Sequence, residues 1–142
     1  MINIKQQILT EDLKKQIYEG FSRHAIQMTG HDGKLEPIAF VATEEESLAG
    51  AVVVECFWGA LHIKYVYVDE RFRGQGLGTR LIQRAFSYAS EQKCPFAFVE
   101  TMSFQALEFY QKMGFELEFT RSGYAHTTSL HYLSKSLTGQ SR

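Results

Sequence analysis

Cysteine is scarce: Cys56 and Cys94 are the only two in 142 residues. They lie far apart and outside any CxxC or Cys/His ligand spacing, which argues against a disulfide framework or a metal site and suits a reducing compartment. Long apolar runs are missing too, so no segment is expected to span a membrane. Charge of one sign is not in excess. With a formal net charge of -1 the chain lacks the broad basic surface of nonspecific nucleic-acid binding, and any anion site must be local. Residues 1–10 carry one lysine and fit neither a secretory h-region nor a transit peptide, so a cytoplasmic location is expected. What is present is a globular composition, 44% hydrophobic and 22% charged, at a length that suits one domain over residues 1–142.

Periodicity assigns the elements. Ile2, Ile4 and Ile8 alternate with polar residues, which predicts a strand over 2–9. Thr10 can cap a helix reaching about Met28, with Glu11 and Asp12 at its positive end and Leu13, Ile17, Phe21 and His24 near one face. Strands are predicted over 37–43, 48–58 and 61–69, the first two joined by the acidic turn Glu44-Glu45-Glu46-Ser47 and the last two separated at Gly59. From Leu77 the period changes to a helical stripe, Leu77, Leu81, Ala85 and Ala89, ending near Glu91. The apolar run Phe96-Ala97-Phe98-Val99 reads as a buried strand over 95–101, parallel to 61–69 across the helical crossover. Ser103 can cap a helix of about three turns ending at Gly114, and 115–121 with 127–137 would be a final antiparallel pair.

The stretch between the third strand and its helix carries the chemistry. Arg73, Gly74, Gln75, Gly76, Leu77, Gly78 and Thr79 form a glycine-rich turn that leaves backbone N–H groups bare at a helix N-terminus, with a guanidinium at its entrance. Such a turn suits phosphate. It is no Walker loop, since no lysine follows the glycines. Nor is it a dinucleotide fingerprint, since Leu81 stands where the third glycine belongs.

Arg73, Gly76 and Gly78 in the pattern [RQ]-x-x-G-x-[GA] resemble the pyrophosphate-binding signature of the GNAT acetyltransferases. Ala106, Phe109-Tyr110, Lys112 and Gly114-Phe115 resemble that family's second segment, A-x-x-[FL]-Y-x-K-x-G-F. The resemblance implies an α+β fold: a mixed, mostly antiparallel sheet with a central splayed parallel strand pair and helices on both faces. It implies that Val66 and Val68 hold the pantetheine arm of acetyl-CoA through backbone groups, with Tyr67 between them. Residues 73–79 would cradle the pyrophosphate and Tyr110 would sit by the thioester sulfur. Ser103 would replace an asparagine of many relatives at a cofactor contact.

The implied activity is direct transfer of acetyl from acetyl-CoA to a primary amine of a small molecule or peptide, with no metal. The Val68 N–H would polarise the thioester carbonyl and Tyr110 would act as general acid to the CoA thiolate. A phenol of pKa about 10 against a thiolate of about 8.5 leaves a gap of roughly 2 kcal/mol. Glu100, at the end of the buried strand, is the first candidate base and Glu55 the second; His62, His126 and His131 are alternatives, but a lone histidine is more often structural than a base, and their spacing forms no metal motif. Two other readings stay open: a noncatalytic CoA-binding or regulatory module, and nucleotide binding without CoA. The amine acceptor is the expected second partner, and an edge in the final strand pair could serve a homodimer.

Overall fold

The computed structural model describes residues 1–33 and 36–138, which fall into two compact units, Met1–Lys34 and Leu35–Arg142. In the first, helix α1 spans Glu11–Thr29. Thr10 caps it as expected: its hydroxyl accepts from the Leu13 N–H at 3.1 Å. Gly30, at φ 82°, closes the helix in the left-handed conformation. The strand expected over 2–9 does not form. Residues 1–10 have no regular secondary structure, and Ile2, Ile4 and Ile8 are exposed. Alternation makes a strand only where a neighbouring strand takes up its backbone groups, and this segment joins none of the described strands.

The second unit is built on a six-stranded sheet in the order β1-β2-β3-β4-β6-β5. Strands β1 (Ile38–Glu44), β2 (Ser47–Phe57) and β3 (Ala60–Val68) are an antiparallel meander. Both of its turns are two-residue turns with positive φ, Glu45-Glu46 at 49° and 70° and Trp58-Gly59 at 48° and 86°. That sign matches the right-handed twist of the flanking strands. Helix α2 (Leu77–Glu91) follows, within the bounds its stripe predicts, and leads to β4 (Phe96–Met102), which lies parallel to β3. Strands β5 (Glu116–Tyr124) and β6 (Thr128–Ser136) complete the sheet, β6 against β4 and β5 at the edge.

The core lies where α2 covers the sheet. Leu81, Ile82, Ala85 and Ala89 are buried together with Val52, Val54, Leu61, Ile63, Ala97, Val99 and Leu133. Fully burying one such aliphatic side chain is worth about 1.5–3 kcal/mol. Gly50 permits the close approach: a Cβ there would lie 2.7 Å from the Tyr67 carbonyl oxygen and 3.2 Å from both Leu77 and Leu81.

The helix after β4 is shorter than expected and starts later. α3 covers only Leu107–Lys112, and its first residue position follows Ala106, which offers no side-chain cap. Ser103 is therefore not the N-cap. Its hydroxyl accepts from the Ser129 N–H at 3.0 Å, while its own N–H donates to the Ser129 carbonyl at 2.8 Å. The residues expected to form the first turn instead make a tight loop in which Gln105 and Thr101 side chains accept from Met102 and Ala106 backbone N–H groups. Gly114, at φ 96°, follows α3 as the sequence pattern suggests.

Candidate active site

The site is a fork in the sheet. Strands β3 and β4 pair only at Leu61/Ala97, His62/Phe98 and Ile63/Val99, then separate. The register of β3 against β2 jumps at the same place: Val54 faces Ile63 and Val53 faces Tyr65, so Lys64 is an extra, bulged residue. A bulge reverses the alternation of side chains. Before it Leu61 and Ile63 face the core; after it Val66 and Val68 do, leaving Tyr65 and Tyr67 exposed on the opposite face.

The bulge also aims the backbone. The Asp69 N–H donates to the Ala49 carbonyl at 2.8 Å, which makes Ala49 and Asp69 a hydrogen-bonded pair. Alternation along an antiparallel ladder then makes Gly50/Val68 and Val52/Val66 non-hydrogen-bonded pairs, whose N–H and C=O groups point away from β2. Those groups point into the fork. Val68 presents its carbonyl there to Arg73, whose Nε donates to it at 3.1 Å.

Beyond β3 the chain makes a single 3-10 turn, Glu70–Phe72, capped by Asp69. The Asp69 carboxylate accepts from the Arg71 backbone at 3.0 Å and from its Nε at 2.8 Å, and the Arg71 guanidinium holds that carboxyl below its ordinary range. Gly74 and Gly76 then take φ of 75° and 79°, and Gly76 begins α2 with no side-chain cap. The first intrahelical bond runs from the Arg80 N–H to the Gly76 carbonyl at 3.1 Å, so the Leu77, Gly78 and Thr79 N–H groups have no partner within the helix. Space for a Cβ is open at both Gly74 and Gly76, and the backbone there is bare.

A cleft of about 390 Å³ joins these parts, lined by Val66, Val68, Phe72, Arg73, Gly74 and Gly76 to Thr79, and closed by Ala106, Phe109 and Tyr110. Bare N–H groups and a guanidinium at one end and apolar walls at the other fit a pyrophosphate with a pantetheine arm. Phe72, Ala106 and Phe109 line the cleft without having been singled out for it; a motif's aromatic positions show on the sequence, their direction does not. Three expected contacts lie outside the lining. Tyr67 donates its hydroxyl to Asp69 at 3.3 Å, the Gln75 amide donates to the Arg71 carbonyl at 3.4 Å, and Ser103 is bonded to Ser129.

Tyr110 is buried, packed edge-on against Phe109 and Phe115. No fully buried side-chain polar atom among the described residues lacks a partner, and Tyr110 has no protein acceptor among them, so its hydroxyl opens to the cleft. Burial pushes that hydroxyl up to about 12.

The opposite face of the sheet carries what the sequence left scattered. Glu55 on β2, His62 on β3 and Glu100 on β4 come together at the root of the fork. His62 Nδ1 lies 3.6 Å from Glu55 and its Nε2 3.7 Å from Glu100, while Lys64 lies 3.7 Å from the other oxygen of Glu55. His62, read from the sequence as structural, stands between both candidate bases. Only the strand register reveals this, because the three residues are far apart in the chain. His131 is buried with its Nδ1 2.8 Å from the Thr120 hydroxyl, and His126 is exposed in a turn after β5. Neither reaches the fork. Among the described residues no group of three or more His, Cys, Asp and Glu is arranged to hold a metal ion, and no helix is long and apolar enough to cross a membrane.

A splayed parallel pair with a glycine turn and a buried tyrosine is the arrangement that the sequence resemblance implied, and comparison with known proteins identifies the class. The model of the acetyltransferase (GNAT) domain matches residues 36–117. The blasticidin-S acetyltransferase of Streptomyces morookaense is 39% identical over 99 residues, covering 69% of this chain and 73% of that protein. Among solved structures, an acetyltransferase from Bacillus cereus ATCC 14579 superposes with a TM-score of 0.78 at 25% identity, covering 94% of this chain and 97% of the other. An acetyltransferase from Bacillus anthracis str. Ames, provisionally assigned to streptothricin and solved in complex with acetyl coenzyme A, gives 0.65 at 25% identity over 72% of this chain and 64% of its own. The chain belongs to the GNAT acetyltransferases. It is an acyltransferase that uses acetyl-CoA as its acetyl donor, which sets the enzymatic reading ahead of the noncatalytic one.

Proposed function

We propose that the enzyme transfers acetyl directly to a primary amine of a small cationic molecule, and that the fork in the sheet is where the two substrates meet. The observation that carries this is the two-sided fork. The cofactor cleft and Tyr110 lie on the α2 face, and the carboxylates Glu55 and Glu100 lie on the other. Acetyl-CoA supplies the acetyl group as a thioester. Its pyrophosphate is held by residues 73–79 and its pantetheine arm by the fork-facing backbone of Val66 and Val68. The Val68 N–H polarises the thioester carbonyl.

Tyr110 then gives its proton to the departing thiolate. Against a thiolate of pKa about 8.5, a hydroxyl at about 12 raises the gap from roughly 2 to about 5 kcal/mol. The same desolvation acts on a thiolate leaving in that cleft, raises its affinity for the proton and narrows the difference. The amine enters from the face of Glu100, whose carboxylate attracts an ammonium and receives its proton.

The kinship to a blasticidin-S acetyltransferase makes blasticidin S the first acceptor to offer. A thiol-release screen at fixed acetyl-CoA, with blasticidin S, small primary amines, polyamines and peptide amines, tests this. Release with at least one amine supports the reading; release with none, despite CoA binding, ends it.

A further inference from the structure

Resting on that acetyl-transfer reading, we infer that His62 is the final acceptor of the amine's proton, reached through Glu100 and held ready by Glu55. Both of its ring nitrogens face carboxylates, at 3.6 Å and 3.7 Å. A neutral imidazole has one N–H and can answer only one of them. Glu55 is the more enclosed carboxylate, with 23% side-chain exposure against 48% for Glu100, and Lys64 holds it from the other side. The ring proton therefore belongs on Nδ1, toward Glu55. Nε2 then turns a lone pair toward Glu100, leaving one place for a proton between them. Phe98 fixes the ring plane by stacking on it at 4.5 Å and 4°. The same contact becomes a cation–π interaction once the imidazole is charged.

Charge favours the transfer. With neutral His62, Glu55, Glu100 and Lys64 sum to one negative charge; once the proton has moved from the amine to His62, these four side chains sum to zero. Among the described residues Tyr132 on β6, the strand partner of Glu100, also faces it; its hydroxyl is pushed up by burial and then by Glu118 and Glu100, so it stays neutral. The balance closes. An ammonium gives one proton through Glu100 to Nε2, and His62 releases it to solvent after turnover. The C–N bond forms as the C–S bond breaks, and the second proton lost by nitrogen replaces the one that Tyr110 gives to sulfur.

The test is the pH dependence of acetyl transfer to the best amine of the thiol-release screen. His62→Gln should lower kcat about 100-fold at pH 7 while leaving KM for acetyl-CoA within about threefold. The deficit should shrink to within about threefold where the amine arrives already neutral. A deficit that is small at pH 7, or constant across pH, overturns the assignment while the acetyl-transfer reading stands; absence of thiol release with every amine removes both. On the native protein, independent of activity and of how the variant folds, long-range ¹H–¹⁵N correlation should show neutral His62 protonated at Nδ1. Finding the proton on Nε2 also overturns it.

Discussion

The two faces of the fork differ in how they handle a proton. On the α2 side Tyr110 sits among Phe109, Phe115 and aliphatic side chains, where nothing but desolvation acts on its hydroxyl. On the other side Glu55, His62, Lys64 and Glu100 make a partly exposed lattice of opposite charges. Desolvation keeps the Tyr110 proton bound at every physiological pH on the dry α2 face; the relay proposed for the other face would exchange one with solvent. The proposed reaction deprotonates an amine and protonates a thiolate in one turnover, and the gap between the parallel strands opens to both faces.

Removing the dry face's proton should have the largest effect. Tyr110→Phe is expected to lower turnover at least about 100-fold, followed by thiol release, with CoA affinity by calorimetry changed less than threefold. Turnover at the native level would dissolve the contrast between the faces.

The same hydroxyl gives a stability signature. Its folded pKa is raised, so its contribution is complete below the unfolded value of about 10 and is lost as pH climbs through about 12. Two units correspond to about 2–3 kcal/mol. Denaturant unfolding between pH 9 and 12 should show native protein losing that much more than Tyr110→Phe; parallel curves would mean the hydroxyl is not desolvated. Cys94, raised to about 12 by burial and by Cys56 3.6 Å away, adds an alkaline loss of the same sign to both proteins, so the difference isolates Tyr110.

The glycine turn lines the cleft on the dry face alone. Gly76 sits at φ 79° with open space around it, so Gly76→Ala costs conformation and not contact, about 1–2 kcal/mol. CoA affinity should fall about tenfold, while the unliganded ring of His62 keeps its tautomer. A tautomer change would show that the faces are not separable.

The smallest effect belongs outside the fork. Thr10→Ala removes the cap of α1 and should cost about 1 kcal/mol, seen as faster amide exchange in the first turn of that helix, with acetyl-CoA affinity unchanged.

Much of this molecule was legible as text. The α2 stripe predicted that helix with an end near Glu91, where it falls, because most of its stability comes from an amphipathic face, and a face is a spacing. The glycine turn was legible because positive φ and bare N–H groups demand glycine. Ser103 misled, because a hydroxyl ahead of a helical pattern looks the same whether it caps the helix or bonds to Ser129, 26 residues later. The strand expected over 2–9 misled for a like reason, since alternation is local and pairing is not.

Residue order alone, then, located the glycine turn, the helix that follows it and the tyrosine that closes the cleft. The tertiary structure decided how distant residues meet. One bulged residue, Lys64, reversed the side-chain alternation of β3 and turned Val66 and Val68 toward the cleft, at the place where β3 and β4 separate. It also decided that Glu55, His62 and Glu100 stand side by side, because register across three strands depends on the whole ladder of backbone hydrogen bonds and on no short stretch of sequence.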